Sequence, residues 1–219
     1  MTKVFAIVAV AAAMFFGGKA NAQLSVHGGV LTNVSPYTIS TSIASLTDTI
    51  GEYAGYGFYG GLTYNIAFTE HWGIAPGVYV NYVGKNEDKT TAGTQYTDIL
   101  SMVDINIPIL FNYKVDFTSS FGIKGFVGPN IRYGLSANRT IKYKNDILPP
   151  LKTDLYEKSS GSQSSLLTRT DLGLMVGVGV HFNAFQIETG VNIGLLDRDP
   201  AKNTTQNFHQ YFVGVGYTF

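Results

Sequence analysis

The chain ends with the stretch YFVGVGYTF, residues 211–219, and this stretch decides the fold class. Apolar or aromatic side chains occupy every second position, at Tyr211, Val213, Val215, Tyr217 and Phe219. This alternation is typical of a β-strand, because successive side chains point to opposite faces of a sheet. Chain termini are usually polar and poorly ordered. A hydrophobic strand that runs to the last residue therefore indicates a terminal strand held in an apolar environment.

The other end of the chain has the order of segments that is typical of a secretory signal peptide. Lys3 precedes an apolar run at residues 4–16, and small residues follow at Ala20 and Ala22. A transmembrane helix needs about 20 residues, and this run is shorter. Residues 1–22 are therefore predicted to be a cleaved signal peptide, and residues 23–219 the exported domain. An N-terminal membrane anchor and a buried helix are the alternatives, and the small residues at the cleavage site argue against both.

Composition excludes several classes of function. The chain has no cysteine, which excludes a lipid-anchored lipoprotein, disulfides, thiol catalysis and Cys-ligated metals. After the signal no run of about 18 or more apolar residues occurs, so no transmembrane helix is predicted. Aromatic residues make up 13% of the chain and charged residues only 14%, against about 25% charged in a typical soluble domain. Acidic and basic residues number 15 each, so the charge balance does not suggest a nucleic-acid partner.

Period-two alternation recurs along the whole mature chain and predicts eight strands. The predicted strands cover residues 24–32, 56–68, 72–82, 102–115, 121–133, 171–182, 185–195 and 211–219. In a soluble sandwich the apolar face points inward, so alternation alone does not say which solvent each face meets.

The lengths of the connections give that information, because long and short connections alternate strictly. The long connections are residues 33–52, 84–97, 135–170 and 196–207, and the short ones are 69–71, 116–120 and 183–184. Short periplasmic turns, longer outside loops and an even strand count are typical of outer-membrane barrels. The prediction is an all-β fold, an eight-stranded antiparallel up-and-down transmembrane β-barrel. A water-soluble barrel is the alternative.

Aromatic residues give an independent indication of a membrane. Rings cluster beside the short turns, and others stand at the opposite strand ends at Tyr53, Tyr56, Tyr82, Tyr133 and Tyr211. Two aromatic belts around aliphatic strand centres are typical of a chain that crosses a bilayer. The predicted membrane girdle beside the short turns consists of Phe68, Trp72, Phe111, Tyr113, Phe182, Phe185 and Tyr217.

Three segments resemble a known family, the small outer-membrane β-barrel proteins of Bacteroidetes-type bacteria that are called PorT-like or outer membrane protein beta-barrel domain proteins. The segments are DINIPILFNYK at 104–114, GFVGP at 125–129, and the run from Asp171 to Gly179. The resemblance covers essentially the whole mature chain, but its motifs are degenerate and carry no chemistry. It implies eight strands, both termini in the periplasm and no assigned activity. Resemblance to the wider class implies that the barrel-insertion machinery recognises the terminal aromatic strand, with Tyr217 and Phe219 as the assembly signal.

Polar side chains on the parity opposite to the apolar one are predicted to face the lumen. The main predicted members are Asp104, Asn112, Lys124, Arg132, His181 and Glu188. Pairing across residues 116–120 puts Asp104 nearly opposite Arg132, and Asn112 nearly opposite Lys124. An eight-stranded barrel has room only for its own side chains, so these groups are predicted to form an internal network of hydrogen bonds and ion pairs. A proton path or a gated pore is the alternative.

Signatures of an enzyme or a metal site are weak. The four histidines, His27, His71, His181 and His209, lack metal-ligand spacing, so no metal and no cofactor are predicted. His181 and Glu188 could approach across the turn at 183–184 as an acid–base pair. Their parity buries both in a packed lumen, which argues against catalysis.

Two loop features suggest surface roles. The connection 135–170 interleaves Lys and Arg with Tyr and Leu, and is either a mobile, solvated loop or a surface for adhesion or a partner protein. Asp48-Thr49-Ile50 resembles the O-glycosylation sequon of this bacterial group, which makes Thr49 a candidate modification site. Mass spectrometry that finds Thr49 unmodified would reject it.

The function predicted from the sequence is therefore an integral outer-membrane barrel with a structural or surface-interaction role, a plugged lumen and no catalysis. The alternative is a narrow pore or a component of a transport or secretion machine, and a barrel enzyme is the third class. Expected partners are outer-membrane lipid, the barrel-assembly machinery, and an extracellular or periplasmic protein. The register of the first three strands stays open, because the Gly-rich run 55–61 allows a slip of one residue.

Overall fold

The computed structural model describes residues 22–35, 37–40, 45–48, 53–91, 94–144, 149–157, 165–199 and 204–219. Within these residues the chain is built from β-strands, and no helix there is long and apolar enough to cross a bilayer. The strands are β1 (Ala22–Val34), β2 (Tyr37–Ser40), β3 (Ser45–Asp48), β4 (Gly55–Ala67), β5 (Trp72–Thr91), β6 (Thr94–Asp116), β7 (Phe121–Tyr143), β8 (Leu151–Asp154), β9 (Thr170–Phe182), β10 (Phe185–Gly194), β11 (Thr204–Gln206) and β12 (His209–Thr218).

Eight of these strands close into a ring. The order around the ring is β6-β5-β4-β1-β12-β10-β9-β7, and β7 pairs back onto β6. All the pairings are antiparallel, and the closing strand β12 pairs with the first strand β1 from Ser25↔Thr218 to Val34↔His209. The predicted all-β, eight-stranded antiparallel up-and-down barrel is therefore confirmed. The same sheet has a ninth strand, β8, which is short and pairs only with residues 138–141 at the far end of β7.

The two ends of the barrel differ in their connections. The short-turn end carries the connections 68–71, 117–120 and 183–184 together with the start of β1 and Phe219. Hydroxyl groups stabilise two of these turns, since Thr69 Oγ1 accepts the Trp72 amide at 2.9 Å and Thr118 Oγ1 accepts the Phe121 amide at 3.0 Å. Asn183 adopts a φ of 53°, a left-handed conformation that Asn tolerates well in tight turns. The opposite end is the long-loop end.

The outward parity of the eight strands forms a continuous apolar band. Valine and isoleucine side chains at the strand centres lie largely exposed, among them Val178 and Val215 at 60% each. Tyr56, Tyr133 and Tyr211 lie exposed at the long-loop edge of the band. The seven residues of the predicted girdle point outward, near the short-turn end: Phe68, Trp72, Phe111, Tyr113, Phe182, Phe185 and Tyr217. Soluble monomers rarely expose an apolar surface of this extent.

Three strands continue beyond the apolar band at the long-loop end. The residues 85–91 of β5, 94–102 of β6 and 135–143 of β7 stay hydrogen-bonded to each other, and β8 adds to the edge of β7. We call this projecting sheet the wall. The predictions of loops at 84–97 and 135–170 were therefore wrong where these strands continue. The wall carries polar residues on its outer face, such as Asn86, Asp88 and Asn138, so the apolar parity that marks the other strands is missing.

Two predicted loops also contain strands. β2 and β3, from the connection 33–52, form a small antiparallel sheet with β11, from the connection 196–207, in the order β11-β2-β3. The pairings run from Tyr37↔Asp48 to Ser40↔Ser45 and from Thr204↔Ile39 to Gln206↔Tyr37. Connections that are far apart in sequence therefore meet at the long-loop end.

The apolar band makes a prediction about substitution by charge. Val178→Arg places a guanidinium near the middle of the band, and we expect it to lower the free energy of unfolding in lipid vesicles by about 2–4 kcal/mol. Thr140→Arg, on the wall, is the matched control and should change stability by less than about 0.5 kcal/mol. Denaturant unfolding of both variants in the same vesicles measures the difference. Equal effects of the two variants would mean that the band does not contact lipid.

Candidate functional site in the barrel lumen

The inward side chains fill the lumen in successive layers. From the short-turn end inward these are a partly exposed ion-pair group, a buried polar cluster around His27, a layer of aromatic rings, a second buried polar group around Asp104 and Arg132, and a lid. The alternation along each strand places these side chains in the lumen. Residues of one parity face inward, and residues of the other parity form the apolar band.

The group nearest the short-turn end is partly open to solvent. Asp116 accepts hydrogen bonds from His181 Nε2 at 2.7 Å and Lys114 Nζ at 3.2 Å. Just inside it, Asn112 donates to the Asn65 side-chain oxygen at 2.8 Å. These residues come from β4, β6 and β9, so the group links strands on different sides of the ring.

The His27 cluster lies deeper and is buried. His27 Nδ1 lies 3.0 Å from Glu188 Oε1, and His27 Nε2 lies 2.8 Å from Thr63 Oγ1. Tyr59 donates its hydroxyl to the same Glu188 oxygen at 3.3 Å. The Lys124 ammonium donates to Gln186 Oε1 at 2.9 Å beside this group. Glu188 is only 4% exposed, so the cluster supplies hydrogen bonds to a carboxyl group that lies inside the barrel.

Four rings form the aromatic layer above the His27 cluster: Tyr59, Tyr79, Phe126 and Phe212. The ring centroid of Tyr59 lies 5.9 Å from that of Tyr79 and 5.7 Å from that of Phe212. The Phe126 ring stacks on the Phe212 ring, with the two centroids 6.4 Å apart. All four are buried. At these separations the rings pack against each other in the middle of the lumen.

The second polar group lies between the aromatic layer and the lid. Asp104 accepts hydrogen bonds from Asn81 Nδ2 at 2.8 Å and Gln210 Nε2 at 3.4 Å. Arg132 forms an ion pair with Asp171, and it also donates to the Phe208 carbonyl at 3.0 Å. The side chains of Arg132 and Asp171 are 2% and 1% exposed, so this pair is buried as deeply as any in the lumen.

A packed lid covers the lumen at the long-loop end. Leu155, Leu167 and Phe208 are 0–1% exposed there. The Arg198 guanidinium lies 4.5 Å from the Phe208 ring centroid and donates to the Tyr156 hydroxyl at 3.1 Å. The sequence allows either a mobile loop or an interaction surface for the connection 135–170, but part of this connection is packed into the closure of the barrel. No sequence pattern indicated this role, because the lid residues come from separate connections.

The register between β6 and β7 corrects two predicted pairs. Asp104 lies opposite Gly134, and Asn112 lies opposite Phe126, so neither faces the predicted partner Arg132 or Lys124. The turn consists of residues 117–120 and pairs Asp116 with Gly122, whereas the prediction counted Asp116 as part of the turn. That difference shifts each partner by two residues, which keeps every side chain on its face but changes its neighbour.

The acid–base pair of His181 and Glu188, which the sequence allows but does not favour, does not form. His181 lies opposite Gln186 and bonds to Asp116, whereas Glu188 bonds to His27. All six predicted lumen residues do lie on the inward parity: Asp104, Asn112, Lys124, Arg132, His181 and Glu188. Thr49 lies outside the described residues.

Sequence reasoning missed three residues that join the predicted ones: His27, Thr63 and Asp171. Each of them has the inward parity of its own strand, which was the available signal. Their partners lie on strands that are distant in sequence, and a pattern within one strand does not identify such partners.

Two small cavities lie inside the barrel. A cavity of about 20 Å³ lies between Tyr59, Tyr79, Asn81 and Asn192, and another of about 10 Å³ lies beside His27, Thr63 and Lys124. A water molecule needs about 10–15 Å³ of such space, so neither cavity admits more than a water-sized guest. In the described part of the chain, no three His, Asp or Glu side chains are grouped so that they could hold a metal ion.

The wall carries its own ion network outside the apolar band. Asp98 accepts two hydrogen bonds from the Arg139 guanidinium, at 2.8 and 2.7 Å, and Lys89 lies 3.5 Å away. Lys89 and Lys85 both contact Glu87, at 3.4 and 2.9 Å. The hydrogen bonds from Arg139 hold the pKa of the Asp98 carboxyl below its usual value, with a further contribution from Lys89, and burial only partly opposes them.

A closed antiparallel ring with an apolar exterior, a packed polar lumen and segregated short and long connections defines the class of transmembrane β-barrels. The chain belongs to the family described as outer membrane protein beta-barrel domain, whose model matches residues 19–199. The family is one of outer-membrane proteins.

Several solved structures of low sequence identity are similar to this chain. A major outer membrane protein from Thermus thermophilus is 13% identical, with 90% of this chain and 99% of that chain covered and a TM-score of 0.51. OprG from Pseudomonas aeruginosa is 14% identical over 92% of this chain and 98% of its own, with a TM-score of 0.44. A third structure is that of Ail, the attachment invasion locus protein of Yersinia pestis, in complex with the heparin analogue sucrose octasulfate. Ail is 14% identical, with 90% of this chain and 99% of that chain covered and a TM-score of 0.43. No curated protein matches the sequence.

The buried ion pair makes a prediction about stability. Asp171→Ala leaves the Arg132 guanidinium buried without its counter-charge, and we expect a loss of about 3–5 kcal/mol in the free energy of unfolding. Lys144→Ala removes half of the exposed pair between Lys144 and Asp88 and should leave stability unchanged. Denaturant titration of both variants measures the contrast. A loss as small for Asp171→Ala as for Lys144→Ala would show that solvent reaches Arg132.

The wall makes a prediction about pH. Because the folded pKa of Asp98 lies below its unfolded value of about 3.9, its contribution to stability is complete above that value. The contribution is lost as the pH falls through the folded pKa. We expect the amides of the wall to exchange faster with solvent below about pH 4, after correction for the intrinsic rate, and Asp98→Asn to remove this dependence. Glu70→Gln, in a short turn, is the control and should retain it.

Proposed function

We propose that this protein is an exported outer-membrane barrel with a structural or surface-interaction role, which holds the wall and lid outside the cell for contact with a partner. The observation that carries the proposal is the filled lumen. The aromatic layer, the two buried polar groups and the lid follow one another along the lumen, and the two cavities between these side chains are about 20 and 10 Å³ in volume. A barrel of this kind has its useful surfaces at its ends rather than along its axis.

The wall is the best candidate for the contacting surface. It stands beyond the apolar band on the ladder of β5, β6 and β7, so a partner would meet a surface of fixed geometry. The ion network of Lys85, Glu87, Lys89, Asp98 and Arg139 cross-links its strands and stabilises that geometry. The expected partner is an extracellular protein, and a periplasmic partner at the short-turn end is the other arrangement.

The same proposal includes more specific assignments of the signal peptide, the family, the membrane contact and the assembly signal. Residues 1–22 act as the signal peptide, and the protein is a PorT-like member from a Bacteroidetes-type bacterium, as the resemblance of residues 104–114 and 125–129 suggests. The apolar band contacts outer-membrane lipid. Tyr217 and Phe219 serve the barrel-assembly machinery as its recognition signal, and in the folded barrel the Phe219 amide donates to the Leu24 carbonyl at 2.9 Å. Thr49 is a candidate glycosylation site. The main role of the protein is not catalysis.

A narrow pore, or a component of a transport or secretion machine, is the second candidate. Its support is the polar character of the lumen, including Asn192, which is 3% exposed and whose side-chain polar atoms both lack a partner among the residues that the structure describes. Opening such a pore requires displacement of the aromatic layer and of the lid. The filled lumen therefore favours the first candidate.

Conductance in planar bilayers separates the two candidates. We expect the folded barrel to give no steady open-channel current, because the rings of the aromatic layer close the lumen at its middle. Heat-modifiable migration on a gel verifies that the inserted protein is folded. A large and steady current from folded protein would favour the pore and contradict the closed barrel.

Labelling of intact cells with a membrane-impermeant amine reagent tests export and orientation. We expect Lys142 and Lys152, which are exposed on the wall, to react, and Lys114, which is exposed at the short-turn end, to stay unmodified until the cells are opened. Deletion of Phe219 should reduce the labelled amount, because fewer barrels are inserted. Reaction of Lys114 on intact cells with protection of the wall lysines would invert the orientation.

A further inference from the structure

The larger of the two lumen cavities, of about 20 Å³, is lined by four side-chain amides, and we call it the amide cavity. Asn81 comes from β5, Asn106 from β6, Asn192 from β10 and Gln210 from β12. All four residues are buried, with exposed fractions of 3–4%. Polar groups that are buried this deeply in native proteins nearly always have a hydrogen-bond partner. The partners of these amides therefore need to be accounted for atom by atom.

The four amides satisfy one another only in part. Asn81 Nδ2 donates to Asp104 at 2.8 Å and to Gln210 Oε1 at 3.3 Å, and these are the hydrogen bonds of its side chain with described residues. Asn106 Oδ1 accepts from Asn130 Nδ2 at 2.6 Å, so its own Nδ2 is left to donate. Asn192 has no partner at either Nδ2 or Oδ1 within the described part of the chain. The cavity is therefore bordered by both donors and acceptors that still lack partners.

A water molecule matches this set of groups in chemistry and in size. Water donates two hydrogen bonds and accepts two, so it can donate to Asn192 Oδ1 and Asn81 Oδ1 and accept from Asn106 Nδ2. Buried waters typically make about three hydrogen bonds and need about 10–15 Å³ of such space. The volume of about 20 Å³ therefore accommodates one water molecule and is too small for two.

Other occupants fit less well. A hard metal cation binds carboxylate, carbonyl and water oxygens, typically six or more of them. No carboxylate is among the residues that line the amide cavity, and Asp104 beside it already accepts from Asn81 and Gln210. An apolar guest would leave Asn192 without a partner in a buried position.

We propose that the amide cavity is a binding site for a single, long-lived water molecule, held by Asn192, Asn81 and Asn106. The water links β10 to β5, and these strands are separated by three strands of the ring on the side of β1. It supplies the partner that Asn192 lacks, so this residue no longer favours a pore. The aromatic layer on one side and the lid on the other slow its escape. The site goes beyond the proposed surface role and does not depend on it.

The smaller cavity is an internal control. Its volume of about 10 Å³ lies at the lower limit for a water molecule. The polar side chains around it have protein partners, since His27 is bonded at both ring nitrogens, Lys124 donates to Gln186, and Asn112 donates to Asn65. We therefore expect no long-lived water there.

Nuclear Overhauser effects between water and leucine methyl groups test the proposal in the wild-type protein. Leu31 lines the amide cavity and Leu110 lines the smaller one, and both side chains belong to residues that are 5% exposed. In the folded mature barrel in detergent, we expect a cross-peak from water that tumbles with the protein at the Leu31 methyls and none at the Leu110 methyls. No cross-peak at Leu31, or equal cross-peaks at both leucines, would overturn the proposal.

A pair of matched variants identifies the residue that holds the water. Asn192→Leu has a similar volume but no polar atoms, and it should remove the Leu31 cross-peak. It should also lower the number of long-lived waters by one, as counted by relaxation dispersion of oxygen-17 water, which does not respond to exchange of hydroxyl protons. Asn112→Leu, in the smaller cavity, should leave both measurements unchanged.

Two further results would contradict the water site. An unchanged count of long-lived waters in folded Asn192→Leu would show that Asn192 does not hold the water. A Leu31 cross-peak that appears only after sodium and potassium are replaced by choline would assign the cavity to a metal cation. The comparison of Leu31 with Leu110 requires no substitution, so it decides the question even if a variant fails to fold.

Discussion

The pairing of the last strand, β12, with the first strand, β1, is the interaction on which the rest of the structure depends, because it closes the ring of backbone hydrogen bonds. Lipid offers no partners to an exposed sheet edge, so a membrane sheet must close on itself. Eight strands set a lumen that is only wide enough for side chains. Outward positions then need only be apolar, whereas inward positions must fit one another in size, charge and hydrogen bonding. The chemistry of the protein is therefore concentrated on one parity.

Fit in size explains why glycine, a poor strand former, is frequent on the inward parity. A Cβ on Gly177 would meet the Phe126 ring, and a Cβ on Gly214 would meet the hydroxyl of Tyr59. The aromatic layer therefore occupies space that glycines on neighbouring strands leave open. Any side chain at these two positions would displace a ring that closes the lumen. The glycines are as much a part of the closure as the rings are.

The sequence was sufficient for the strands and their parity, because a bilayer requires a strict alternation that is readable one strand at a time. It was not sufficient for contacts across the lumen, such as His27 with Glu188, since these depend on how distant strands are placed around the ring. The predicted partners of Asp104 and Asn112 were wrong because the length of one turn decides the register of a hairpin. The wall was missed for a different reason, which is that its outer face is polar, at Asn86, Asp88 and Asn138, so the outward apolar parity is missing there.

Lumen contacts also explain why the Gly-rich start of β4 keeps its register. A slip by one residue would turn Tyr59 and Thr63 toward lipid and remove their hydrogen bonds to Glu188 and His27. Leaving Glu188 and His27 without these partners has the cost of buried unsatisfied polar groups, about 1–3 kcal/mol each. The polar cluster thus selects one register for β4, whose own Gly-rich sequence permits a slip. The main consequence of the cluster is this specificity of pairing, and a gain in stability is the less direct one.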